Sequence, residues 1–79
     1  MNNYPCIEYN VSYGDENWFG GEFGFSVATC QSECRSNPSC NYFSFFNGGG
    51  WAHGRCFMYS SAAGKQSESS MISGPGVCL

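Results

Sequence analysis

Charge is scarce in this chain. Only 11% of its 79 residues are charged, and its cations are three: Arg35, Arg55 and Lys65. They are scattered, so no clustered basic surface of the kind that holds nucleic acid or heparin can be assembled from them. The net charge is −3. Histidine occurs once, at His53. No serine sits in a nucleophile-elbow pattern, and a hydrolase needs a nucleophile, a base and an orienting group together. Asp15 and Glu16 are adjacent; in a strand they would point to opposite faces, which gives no carboxylate pair. The residues therefore predict neither an enzyme nor a cofactor site. Long apolar runs are missing as well: none approaches the roughly 20 residues that a membrane-spanning helix requires, so no membrane insertion is expected. The opening Met1-Asn2-Asn3-Tyr4 has neither a basic start nor an apolar stretch.

What the chain does have is cysteine and aromatic side chains. Six cysteines stand in 79 residues, which is one domain's length, 1–79, with a core expected from Cys6 to Cys78. A chain this short buries a small core and usually needs reinforcement from disulfides, a metal or a partner. An even cysteine count at irregular spacing reads as a disulfide framework formed in an oxidising compartment. The expected location is extracellular, and that expectation rests on the cysteines: a leader has been removed, or the chain is one module of a larger secreted protein. Aromatics reach 18%, more than a small core readily absorbs, and rigid rings are also what a binding face uses.

The sequence predicts one short helix. Ser26 is a natural N-cap before Val27–Arg35. Val27, Cys30 and Cys34 fall on one helical face at i, i+3 and i+7. Arg35 suits the negative end of the helix dipole, and Asn37-Pro38 stops the helix because a residue preceding proline avoids helical geometry. Strands are expected at 41–46, where Phe43 and Phe45 share one face and Tyr42, Ser44 and Phe46 the other, at 55–59, and at 7–11. Weaker strand signals lie around Phe23 and at 71–73. A glycine-rich hairpin loop, 47–54, joins the two best strands. A polar loop is expected from Ser60 to Ser70, and Gly74-Pro75-Gly76 reads as a turn. The outline is α+β: several antiparallel strands with one helix on a face.

Six cysteines allow 15 pairings. A bridge between Cys30 and Cys34 within one helix is strained, so each is expected to reach a different partner. Cys34 lies six residues before Cys40, across the proline turn, which favours a short clamp. Cys30 is then left to reach Cys56 on a strand, and Cys6 to join Cys78. A zinc site built from Cys30, Cys34, Cys40, His53 and Cys56 is the competing reading. It lacks the Cys-x2-Cys knuckle that structural zinc favours and leaves Cys6 and Cys78 without a role, so no metal is expected.

Cys30-x3-Cys34-x5-Cys40, the phenylalanines at 43 and 45, Cys56-Phe57-Met58 and Ser73-Gly74-Pro75 before Cys78 resemble a PAN/apple domain. The closing serine-glycine-proline is most similar to the apple domains of apicomplexan microneme adhesins. The resemblance runs from Cys6 to Cys78. It implies an antiparallel sheet of about five strands cradling one α-helix, and the pairing of first with sixth, second with fifth and third with fourth cysteine. It also implies an extracellular adhesion or recognition module, reached through a secretory organelle, whose partner is an extracellular protein or a cell-surface glycan and whose neighbours are further domains of the same parent chain. The Gly48–Gly50 stretch is richer in glycine than the family pattern.

Ligand-binding candidates follow from side-chain chemistry. Trp51 is a large ring flanked by glycines, and His53, Arg55, Tyr59 and Lys65 supply directed polar groups around it, as a sugar or protein site requires. A galactose-binding lectin is the alternative function. Its family members place a lysine and an aromatic late in the domain, whereas here Lys65 is the only lysine and no aromatic follows Tyr59. General adhesion therefore ranks ahead of it, and a structural spacer behind both. Asn10-Val11-Ser12 is an N-glycosylation sequon, with Asn10 the acceptor.

Overall fold

The computed structural model describes residues 6–14, 18–22, 26–49 and 53–77. Five strands and one helix follow one another as β1 (Glu8–Ser12), β2 (Phe19–Glu22), α1 (Val27–Ser36), β3 (Tyr42–Phe46), β4 (Cys56–Tyr59) and β5 (Gln66–Pro75). The strands form one antiparallel sheet in the order β1-β5-β3-β4-β2.

The helix starts and stops where local chemistry dictates. Ser26 Oγ accepts from Thr29 N–H, and Thr29 Oγ1 accepts from Ser26 N–H at 2.7 Å, so two otherwise orphaned donors are satisfied reciprocally. At the other end Asn37, held extended by the following proline, donates its N–H back to Cys34 O. The buried stripe is Cys30 and Cys34 with Val27 packed beside them. It meets Phe43, Phe45, Cys56 and Ile72 from the three central strands, with Phe19 and Met58 closing the side. The cross-strand pairs Phe43↔Met58, Phe45↔Cys56 and Phe45↔Ile72 place these residues on one face of the sheet.

Two bridges fasten this core. Cys30 is bonded to Cys56 over a separation of 26 residues, and Cys34 to Cys40 over 6. Cys6 is disulfide-bonded as well; its expected partner, Cys78, lies outside the described residues. Gln31 adds a polar tie, its buried side chain donating to Pro75 O at 2.9 Å.

The opposite face is built differently. Asn10 and Ser70 both have positive φ, 61° and 69°, and Ser70 N–H donates to Asn10 Oδ1 at 3.3 Å. These residues mark a corner at which β1 and β5 turn together. Glu8 and Tyr9 pair with Ser73 and Ile72 before it, Val11 and Ser12 with Ser67 and Gln66 after it. The outer halves lie over the face away from the helix. There Ser73 Oγ donates to Val11 O and shares a hydrogen bond with Ser44 Oγ at 2.7 Å. Tyr13 follows onto the same face, edge-on to Tyr42 and Tyr59 at centroid distances of 5.2 and 5.5 Å. Gly64 approaches so closely that a Cβ there would stand 2.7 Å from Tyr13 O, so no larger residue fits without displacing backbone.

Two sequence expectations are corrected and a third is only partly described. Residues 66–70 are strand, not loop: their exposed polar side chains show no alternation because this stretch pairs only with the edge strand β1. The strand signal around Phe23 falls largely outside the described residues, and β2 itself lies at Phe19–Glu22. Gly74-Pro75 ends β5 rather than forming a turn. A Cβ at Gly74 would meet Ile7 Cδ1 at 2.9 Å, so the glycine admits the Cys6–Ile7 segment against the strand.

Candidate functional site

The candidate ligand residues are distributed over the molecule. Arg55, immediately before β4, is half-buried, and its guanidinium lies 5.3 Å from the ring centre of Trp18 and 5.0 Å from that of Phe57. Trp18 meets Phe57 edge-on at 5.0 Å and remains 37% exposed. Strand alternation places Arg55, Phe57 and Tyr59 on the face away from the helix. A cation held over two rings is an attractive arrangement in itself, and here it forms a partly exposed aromatic–cation patch at the β2–β4 edge.

His53 is exposed in the β3–β4 hairpin, and its Nδ1–H donates to Gly48 O at 2.7 Å, closing the loop on itself. Phe46 and Arg55 hold the hairpin base through Phe46 N–H to Arg55 O at 2.9 Å. The His53 ring stands 6.2 Å from Phe45. Trp51 lies outside the described residues.

Lys65 belongs to a different neighbourhood. Its ammonium pairs with Glu8 at 2.8 Å, and both side chains are about half exposed. Glu8 stands on β1, the edge strand opposite β2. The ligand candidate Tyr59 is only 3% exposed, with Tyr13 packed edge-on against it, and its hydroxyl donates to Gly14 O at 3.0 Å. It serves the packing of the polar face. Tyr59 therefore presents no exposed ring for Lys65 to accompany.

Asn10 is exposed at the β1–β5 corner, but its side-chain oxygen is engaged by Ser70, and Ser12 of the same sequon is buried. Burial first, then the nearby Glu8 carboxylate, push the Tyr13 hydroxyl up to about 12. Among the described residues no group of three or more histidine, cysteine, aspartate or glutamate side chains is placed to hold a metal ion.

Sequence reasoning missed Trp18. The signal available was a tryptophan directly before Phe19, in a chain where an aromatic next to a short strand can cover a neighbouring side chain.

A family model described as the PAN domain matches residues 22–77. No curated protein matches the chain. Among solved structures, the chain is similar to the solution structure of the two N-terminal apple domains of Toxoplasma gondii microneme protein 4. The identity is 26% and the TM-score 0.71, with 92% of this chain and 45% of that one covered. The chain thus spans less than half of that two-domain structure. The two matches support an adhesion or binding module in general.

Proposed function

The chain belongs to the PAN domain family, and from that premise we propose that it is an extracellular recognition module, non-enzymatic, binding a protein or glycan ligand through its exposed surface as one unit of a larger secreted protein. The observation that carries this reading is the joint match to the PAN family over residues 22–77 and to the apple domains of a microneme protein. Disulfide reinforcement of so short a chain agrees with an oxidising compartment, outside the cell or within a secretory organelle. Tandem modules of this size gain avidity when several weak sites engage together. A glycan at Asn10 is compatible with its exposure, and the burial of Ser12 requires that it be added before the domain folds.

The test is a glycan array and a panel of extracellular proteins presented to the oxidised domain, with hits followed by NMR titration. Saturable shifts on the folded domain support recognition. A domain that answers neither glycans nor proteins is a spacer. The galactose-lectin reading receives less support, because Lys65 is paired with Glu8 and Tyr59 is buried.

A further inference from the structure

The three cations of the chain are used in three different ways. Lys65 is neutralised by Glu8 at 2.8 Å, and Arg55 lies over Trp18 and Phe57. Arg35, in the last turn of α1, is exposed; among the described residues its guanidinium reaches only the Ser32 hydroxyl, at 3.5 Å, and no carboxylate lies within ion-pair distance of it. It opens onto a groove of about 530 Å³, within the size range of ligand clefts.

The walls of that groove are stiff and mixed, with more polar than apolar surface exposed and the apolar part gathered at Pro38, Tyr42, Pro75 and Val77. On one side Pro38 follows the helix, in a turn closed by the Cys34–Cys40 bridge. On the other stand Tyr42, Pro75 and Val77, the last 46% exposed. Gly76 brings this wall against the helix: its N–H donates to Asn41 O at 3.1 Å, and a Cβ there would meet Cys34 Sγ at 3.0 Å. The two asparagines in the lining have polar groups already committed. Asn37 Oδ1 accepts from Ser39 N–H, and Asn41 Nδ2 donates to Ser60 O, each at 2.9 Å.

We infer that this groove docks a peptide segment of a protein partner in which a carboxylate side chain sits next to an aliphatic one. The carboxylate meets the unneutralised Arg35 guanidinium, whose planar donor fork matches it. The aliphatic side chain lies against Pro75, Val77 and the Tyr42 ring. A sugar fits less well, since it needs several directed polar groups beside a ring face, and the asparagines that would supply them are partly spent internally. The inference rests on the domain being a recognition module and names the class of its partner.

The experiment titrates the 15N-labelled oxidised domain with a capped Gly-Gly-Asp-Leu-Gly-Gly peptide, with its asparagine counterpart, and with glucuronic acid. Saturable shifts at the amides of Arg35, Tyr42 and Val77 are expected with the aspartyl peptide, about fivefold weaker with the asparaginyl one. Arg35→Gln lowers affinity by a similar factor, and Val77→Asp, which sets a carboxylate beside Arg35, removes the response. Both positions are exposed, and the spectra report whether each variant remains folded. Equal binding of the two peptides, or no saturable shift at these amides, overturns the groove. Saturation by glucuronate alone overturns the peptide assignment, and shifts centred on Trp18 and Arg55 move the site elsewhere; either result leaves the recognition module standing.

Discussion

The two faces of the sheet solve the same packing problem by different chemistry. The helix face is apolar and covalently pinned: Phe43, Phe45 and Ile72 pack on Cys30 and Cys34, and Cys30 is bonded to Cys56. The other face is closed by hydroxyls and rings: Ser44, Ser73 and Val11 O form a buried chain, while Tyr13 roofs Tyr42 and Tyr59. A bridge limits the unfolded chain whatever its surroundings, whereas a buried hydrogen-bond chain holds only while every member is satisfied. The helix face should therefore tolerate chemical stress up to reduction, and the polar face should fail locally and gradually.

The largest effect is expected from removing the central bridge. Cys30→Ala with Cys56→Ala should cost about 3 to 5 kcal/mol, measured by urea unfolding, because the loop it closes spans 26 residues. Loss of the six-residue clamp, Cys34→Ala with Cys40→Ala, should cost nearer 2 kcal/mol. A reversed order would mean that the helix is not anchored through Cys30.

On the polar face, Ser73→Ala should cost about 1 to 3 kcal/mol, since it leaves Ser44 Oγ and Val11 O without their shared partner. If unfolding midpoints do not move, the serine chain contributes nothing to this face. Tyr59→Phe removes the hydroxyl that donates to Gly14 O and should cost about 1 kcal/mol.

Alkaline titration separates the faces without mutation. Tyr13 ionises at about 12 in the fold, above the ordinary value of 10. The folded state thus holds this proton more tightly than the unfolded chain does. Its stabilising contribution is complete below pH 10 and is lost as pH rises through 12. Unfolding followed by circular dichroism should show that slope, and Tyr13→Phe should flatten it. The smallest effect belongs to Glu8→Gln: the half-exposed pair with Lys65 should be worth less than about 0.5 kcal/mol and should fade with salt.

Much of the helix face was legible in the sequence, because its signals are local. Ser26, the Val27-Cys30-Cys34 spacing and Asn37-Pro38 give the helix and its ends, and alternation in 42–46 gives the strand beneath it. The polar face was not legible for the same physical reason. Gln66–Ser70 carries no burial pattern, and Phe19–Glu22 contains two glycines and forms as an edge strand through pairing with β4. The corner at Asn10 and Ser70 joins residues 60 apart. The candidate site divides likewise. Arg55 was visible as a cation near the hairpin, but its rings come from β4 and from Trp18 before β2. The Arg35 groove escaped notice because Pro75, in its second wall, lies 40 residues further along the chain than Arg35.

Recognition by the folded domain is the claim on which the rest depends. The most direct measurement is flow cytometry of cells exposed to the fluorescently labelled oxidised domain, beside the same protein reduced and alkylated. Saturable binding, displaced by unlabelled oxidised domain and lost on reduction, is the predicted result. Binding that is absent, or equal for the folded and alkylated chains, would contradict it.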